Sequence, residues 1–126
     1  MLKKGVICAI VGSSSLKDDV LLMARSLEKT GVVCLLSHLF SHAEKYELTE
    51  EEMNCAVENG HVRIDIADAC LAVYRNNHIG DSTLEELEYA SSNMKPIYLF
   101  NMDRNEFIED PYTELDKLRP DRKEET

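Results

Sequence analysis

The chain has 126 residues, of which 44% are hydrophobic and 30% charged, and its formal net charge is −10 at pH 7. This composition is typical of a globular domain that buries roughly two-thirds of its surface without a metal or a disulfide. Its negative charge argues against a nucleic acid partner, because an acidic surface repels phosphate backbones. No segment resembles a targeting signal or approaches the ~20 apolar residues of a membrane span, so we expect a cytoplasmic protein with no membrane partner.

Strands and helices alternate along the first third of the chain. The apolar run 5–12 predicts a strand that is buried on both faces. Three serines follow it, and apolar residues at helical spacing then predict a helix that stops at Gly31. Residues 32–36 predict a second buried strand. Residues 37–48 are polar without a clear period, and we interpret them as a long loop that could cover a neighbouring site.

The alternation continues to the end of the chain. Thr49 and Glu52 have the spacing of a capping box, which predicts a helix that Gly60 could break or kink. Residues 69–74 and 95–101 predict two further strands, separated by a helix with capping signals at Ser82 or Thr83. A short final helix is expected over 110–118, followed by a charged, disordered tail at 119–126.

This order of elements predicts the fold class. Apolar strands that alternate with helices are typical of a parallel sheet with helices on both faces. We therefore expect residues 1–118 to form a single α/β domain, a three-layer flavodoxin-like or Rossmann-like sandwich with a four- or five-stranded parallel sheet. The first and third strands should lie side by side.

The cysteines give no sign of a metal or redox site. Cys8, Cys34, Cys55 and Cys70 are scattered and lack CxxC spacing. We expect buried, reduced thiols, and no metal or cofactor.

A ligand site is expected where the loops after the first and third strands meet, since open parallel sheets bind ligands at the carboxyl ends of their strands. Gly12 permits close approach of the backbone, and Ser13, Ser14 and Ser15 offer hydroxyls to a phosphate or a sugar, although a simple helix cap is the alternative. The loop matches neither GxGxxG nor GK[ST], which excludes a dinucleotide fingerprint and a P-loop.

The acidic segment 81–88 begins the helix after the third strand. On a helical wheel at about 100° per residue, Glu85 and Tyr89 point to solvent, whereas Glu86 lies in the first turn on the flank nearest the site. The predicted buried face comprises Leu84, Leu87, Ser91 and Met94. The helix N-terminus favours an ionised carboxylate, so a catalytic Glu86 would act as a nucleophile. The alternative is that these glutamates only complement the helix dipole.

Residues 66–100, IADACLAVYRNNHIGDSTLEELEYASSNMKPIYLF, resemble the signature half of the nucleoside 2-deoxyribosyltransferase family. Residues 6–34 are similar to the opening strand, loop and helix of that family. The positions that match the signature are Asp68, Gly80, Ser82, Thr83, Glu86, Ala90, Lys95 and Pro96.

The resemblance implies a flavodoxin-like homodimer or higher homo-oligomer whose ligand is a nucleoside or a nucleoside 5′-monophosphate. A glutamate, here Glu86, attacks the anomeric carbon, and water or a second base resolves the glycosyl ester. The loop of Ser13, Ser14 and Ser15 and the segment from Gly80 to Thr83 would form the cradle. A non-catalytic nucleotide sensor on the same fold is the alternative.

Further residues follow from the resemblance. Asp81 is a candidate acceptor for a nucleobase amino group, or else a helix cap. His38, His42 and His78 are candidates for protonating the leaving base, or else ordinary exposed histidines. The family's sugar-holding aspartate falls on Gly60, so Glu58 or Asp65 would have to replace it. The family's usual glycine two residues after the glutamate is Glu88.

Overall fold

The computed structural model describes residues 2–118, so the tail predicted at 119–126 lies outside the described residues. In chain order the elements are β1 (Ile7–Val11), α1 (Lys17–Glu28), β2 (Val33–Leu35), α2 (Ser41–Glu44), α3 (Glu50–Ile66), β3 (Ala69–Tyr74), α4 (Asp81–Ser92), β4 (Ile97–Asn101), β5 (Glu106–Phe107) and α5 (Pro111–Leu118). The short helix α2 lies inside the segment that we interpreted as a loop.

The sheet has five strands in the order β2-β1-β3-β4-β5, which confirms that the first and third strands are neighbours. The first four strands are parallel, whereas β5 runs antiparallel to β4 with Phe100 opposite Phe107. An entirely parallel sheet was therefore the wrong expectation at this edge. The chain reverses tightly because the Asn101 side chain accepts hydrogen bonds from the backbone N–H groups of Asp103 and Arg104, at 3.0 and 3.1 Å.

Helices cover both faces of the sheet, consistent with three layers. Successive residues of β1 point to opposite faces, so Cys8 and Ile10 pack with α1, while Ala9 and Val11 pack with α3, α4 and α5. Strand β3 lies at the centre and is buried along its whole length. None of the helices within residues 2–118 is both long and apolar enough to cross a membrane.

Helix α3 begins as its sequence predicts. The Glu52 backbone N–H donates to Thr49 Oγ1 at 3.1 Å, and the Thr49 N–H donates to Glu52 Oε1 at 2.8 Å, which completes the capping box. The helix then continues without a break through Gly60. The glycine is therefore not a helix end, and its role lies in packing.

Helix α4 differs from the wheel in its start and its phase. Its N-cap is Gly80, so neither Ser82 nor Thr83 caps it. The buried residues are Thr83, Leu87 and Ala90, while Leu84 is half-buried and Met94 is 91% exposed beyond the helix end. The buried face of α4 is rotated from the predicted one because the helix packs against α3 as well as against the sheet.

The cysteines follow the expectation only in part. Cys8 and Cys70 are buried, and burial raises the pKa of Cys8 to about 12. Cys34 is half-buried, whereas Cys55 is exposed on α3. The expectation of a buried thiol was wrong for Cys55, because the N-terminal half of α3 does not lie on the sheet.

Candidate functional site

A cavity of about 580 Å³ opens at the carboxyl ends of β1 and β3, the edge at which a ligand site was predicted. One wall is polar and is formed by the loop after β1 and the start of α4. Most of the apolar lining comes from the segment after β2 and the N-terminal half of α3: Leu39, Phe40, Leu48, Met53, Ala56 and Val57. The segment after β2 also contributes three polar residues, Ser37, Ser41 and His42. The cavity can therefore take a ligand with one polar and one apolar end.

The serine loop contributes two of its three serines to this cavity. Ser13 and Ser14 line it, whereas Ser15 is exposed and faces a second depression beside Lys17. The Ser13 and Ser15 hydroxyls are 2.9 Å apart, and the N-cap of α1 is Leu16, which has no side-chain cap. The alternative in which a serine caps α1 is therefore wrong.

Gly12, at the start of this loop, allows close packing of the neighbouring elements. A Cβ atom at this position would lie 3.0 Å from side-chain atoms of both Val20 and Val73. The close approach that glycine permits is thus between β1, α1 and β3, and it lets the serine loop begin directly at the end of the strand.

The first turn of α4 forms the other polar part of the cavity. Gly80, Asp81, Ser82 and Thr83 all line it. Because the N-cap is a glycine without a side chain, the free N–H groups of this turn have no side-chain cap. They supply a positive helix end at the cavity. Asp81 is the first helical residue and not the N-cap, so its alternative role as a cap is wrong.

The Glu86 carboxylate lies between α4 and α3 at the cavity wall. A Cβ atom at Gly60 would be only 2.6 Å from Glu86 Oε2, so the carboxylate occupies the space that a side chain at position 60 would need. Burial raises the pKa of Glu86, and Glu85 adds to this, while Arg63 and His61 act in the opposite direction. The net shift is opposite to the one expected from the helix dipole.

Arg63 is a cavity residue that the sequence reading missed. It is half-buried on α3, and its Nη2 atom lies 3.8 Å from the same Cβ position at Gly60. Within residues 2–118 its guanidinium makes no hydrogen bond or ion pair, and its charge acts on Glu86. The available signal was its position three residues after Gly60, on the same face of a predicted helix.

Hydrogen bonds and a ring-stacking contact between side chains join α3 to α4 beside the cavity. His61 Nε2 is 2.8 Å from Glu85 Oε1, and the His61 ring stacks on Tyr89 with centroids 3.9 Å apart. The Tyr89 hydroxyl donates to Asp65 Oδ1 at 2.7 Å. The expectation that Glu85 and Tyr89 point only to solvent was therefore wrong, since both contact α3.

The two carboxylates considered as replacements for the family aspartate are elsewhere. Asp65 is bonded to Tyr89, and Glu58 is exposed on α3. Neither lines the cavity. Gly60 and Arg63 of α3 lie near the Glu86 carboxylate, and neither is acidic.

The three candidate histidines have different surroundings. His42 lines the cavity, and its Nδ1 atom is hydrogen-bonded to the Ser14 hydroxyl. His38 is exposed and does not line the cavity, and His78 is exposed in the turn after β3. Of the predicted binding residues, His38 and Ser15 are thus the two that this cavity does not bring together with Glu86.

An ion pair supports the loop after β3. Arg75 Nε and Nη2 donate to Asp19 Oδ2 and Oδ1 at 2.6 and 2.9 Å, and Arg75 Nη1 reaches Asp103 at 3.3 Å. Asp19 is only 9% exposed, so Arg75 is the partner of a largely buried carboxylate. This bidentate pair holds the end of β3 against α1, close to both polar loops.

Asp68, one of the positions that carry the family resemblance, has a structural role. Its Oδ2 atom accepts from the Ile7 N–H at 2.9 Å, and its own N–H donates to the Ile7 carbonyl at 2.7 Å. This pair of bonds joins the starts of β1 and β3 at the edge of the sheet opposite the cavity. No protein-family model matches the chain, and no curated protein matches it either.

Proposed function

We propose that the protein cleaves the N-glycosidic bond of a nucleoside or a nucleoside 5′-monophosphate, or transfers its deoxyribosyl group, with Glu86 as the nucleophile. The observation that carries the proposal is the position of the Glu86 carboxylate. It lies at a cavity lined by both polar and apolar residues, within the first two turns of a helix whose N-terminus has no side-chain cap. A sugar fits the polar side, and a flat base fits the apolar side.

The sheet order supports assigning the chain to a flavodoxin-like fold within the nucleoside 2-deoxyribosyltransferase family. The order β2-β1-β3-β4-β5, with the switch between β1 and β3, is that of doubly wound flavodoxin-like sheets. The segments that carry the resemblance supply the two polar loops on either side of this switch.

In the proposed reaction, a Glu86 carboxylate oxygen forms a bond to the anomeric carbon as the bond from that carbon to the base nitrogen breaks. The bonding pair leaves with the base, which takes up a proton, and we assign His42 as its donor. Water then attacks the anomeric carbon, releases Glu86 and returns a proton to His42, or a second base replaces water. Ser13, Ser14 and the first turn of α4 hold the sugar or its phosphate.

A nucleotide-binding module without turnover is the second candidate. It is favoured by the α3 side of the cavity, where Gly60 and Arg63 lie near Glu86 and no α3 carboxylate is available to hold the sugar. The same cavity would then bind the ligand without cleaving it.

We also propose that the chain acts as a homodimer or a larger homo-oligomer in the cytoplasm. Exposed apolar side chains on α3 support self-association, since Met53, Val57, Val62 and Ile66 are each more than half exposed. Two of them, Met53 and Val57, border the cavity.

The test is incubation of the protein with a panel of 2-deoxynucleosides and their 5′-monophosphates, with and without a free second base, followed by chromatography of the released base. The wild type should release base from at least one substrate. Glu86→Gln should lose about a hundredfold or more of this rate, because a neutral amide cannot form the glycosyl ester. Glu88→Gln, on an exposed position of the same helix, is the matched control and should keep the activity.

The outcomes separate the two candidates. Release that is equal in the wild type and in Glu86→Gln would overturn the role of Glu86. Calorimetric binding of a panel member without any release of base would favour the module without turnover. Product formed only when a second base is present would identify a transferase.

A further inference from the structure

We propose that Arg63 is a positioning residue that holds the Glu86 carboxylate ionised and directed at the cavity, which the proposed nucleophilic attack requires. This inference rests on the proposed function, but the coupling between the two side chains can be measured without any substrate.

The geometry places Arg63 and Glu86 around one point. Gly60 and Arg63 are three residues apart on α3 and therefore share a helix face. The Cβ position of Gly60 is 2.6 Å from Glu86 Oε2 and 3.8 Å from Arg63 Nη2. The missing side chain at position 60 thus leaves a space that the carboxylate enters from α4 and that the guanidinium borders from α3.

Most of the groups packed around Glu86 oppose its ionisation, whereas Arg63 favours it. Burial opposes the charged carboxylate most strongly, and the adjacent Glu85 on α4 repels it. The pKa of the Cys70 thiol on β3 is raised by burial and then by the charge of Glu86, so this thiol stays neutral. His61 on α3 is 2.8 Å from Glu85 and is engaged there. Arg63 is the group that most opposes these effects.

Arg63 has no competing partner among residues 2–118. No carboxylate there lies within ion-pair distance of its guanidinium, and no acceptor there forms a hydrogen bond with it. Among those residues it is also the one lysine or arginine that lines the cavity, against the carboxylates of Asp81, Glu85 and Glu86. A half-buried guanidinium without a bonded partner keeps its full charge available to Glu86.

Titration by NMR tests the proposal. The protein is labelled with ¹³C at the glutamate side-chain carboxyl, and the Glu86 signal is assigned from its loss in Glu86→Gln. Arg63→Gln should raise the pKa of Glu86, lowering its ionisation constant about tenfold, since an opposite charge at this range stabilises the carboxylate. Arg63→Lys should retain most of the wild-type titration because it keeps the charge. Arg25→Gln is the control, since Arg25 is exposed on α1 away from the cavity.

A second measurement uses the wild type and does not depend on how the Arg63 variants fold. The Arg63 side-chain ¹⁵N signal should shift as Glu86 titrates, and this shift should vanish in Glu86→Gln. If base release is detected, Arg63→Gln should also move the acidic limb of its kcat/KM profile to higher pH, and Arg63→Lys should restore it.

The failure of this inference differs from the failure of the proposed function. The positioning role would be overturned, even if base is released, by either of two results. One is an unchanged pKa of Glu86 in a folded Arg63→Gln variant, and the other is an Arg63 side-chain ¹⁵N signal that does not shift as Glu86 titrates. Conversely, if the protein releases no base but the titrations of Arg63 and Glu86 are coupled, the positioning role of Arg63 is supported and only the proposed reaction is contradicted.

Discussion

Gly60 on α3 and Glu86 on α4 approach so closely that any larger residue at position 60 would displace the carboxylate. A Cβ atom there would lie 2.6 Å from Glu86 Oε2, closer than real Cβ contacts allow. The carboxylate is the flexible end of a side chain, so it would move while the helices stayed in place. The contact thus makes Gly60 part of the site and not a mere helix irregularity.

This contact predicts a coupling between the two positions. Glycine in a helix interior costs about 0.5–1 kcal/mol relative to alanine. In the Glu86→Ala background, Gly60→Ala should therefore raise the free energy of unfolding by about that amount. In the wild-type background the displaced carboxylate should cancel part or all of the gain.

Urea unfolding of the wild type, the two single variants and the double variant measures this coupling as a double-mutant cycle. Equal effects of Gly60→Ala in both backgrounds would show that the two side chains do not compete for space. Release of base, if detected, should also fall in Gly60→Ala because Glu86 is moved.

Glu86→Gln should change the dependence of stability on pH. The pKa of Glu86 is raised in the folded protein above its ordinary value of 4.5, so the folded state binds more protons than the unfolded state just above that pH. The contribution of Glu86 to the free energy of unfolding is therefore lost as pH rises from about 4.5 through its folded pKa. Glutamine has no charge to bury, so the variant should match the wild type near pH 4 and exceed it near pH 7.

Urea midpoints between pH 4 and pH 8 give the comparison. Glu88→Gln, at an exposed position, should follow the wild-type profile. Parallel profiles for the wild type and Glu86→Gln would mean that the carboxylate is not disfavoured in the folded protein.

Loss of Arg75 should destabilise the protein more than loss of another ion-paired arginine. Arg75→Met leaves the Asp19 carboxylate, whose side chain is 12% exposed, without its bidentate partner. Arg104→Met removes only the exposed pair with Glu106, in which the side chains are 68% and 46% exposed. Thermal unfolding should show a clear decrease in Tm for Arg75→Met and almost no decrease for Arg104→Met. Equal shifts would contradict a structural role for the Asp19 pair.

The capping box of α3 should contribute measurably to stability. Thr49→Ala removes the acceptor for the Glu52 backbone N–H and should cost about 1 kcal/mol in free energy of unfolding. Glu51→Ala, in the same first turn, is the control and should cost less, because the Glu51 side chain makes no hydrogen bond or ion pair within residues 2–118. Chemical denaturation measures both variants. A similar loss in both would indicate a general effect of charge in the first turn.

Short-range patterns were sufficient to predict most of the secondary structure. The apolar run of β3, the capping box at Thr49 and Glu52 and the order of strands and helices depend on residues close together in the chain. The meeting of the loops after β1 and β3 followed from the chirality of parallel crossovers. For the same reason the start of α4 was expected at the ligand edge, and its residues do line the cavity there.

Packing between distant segments governed the rest, and no local pattern contains that information. Which face of α4 is buried depends on contacts with α3 as well as with the sheet. A helical wheel that assumes a single buried face therefore predicted Met94 as buried, although it is exposed. Asp19 and Arg75 meet across 56 residues of chain, and their pairing shows only in three dimensions. The same holds for Gly60, Arg63 and Glu86. The family resemblance implied that Gly60 stands where an aspartate is usual, whereas the packing of α3 on α4 makes this position the space that Glu86 occupies near a cation.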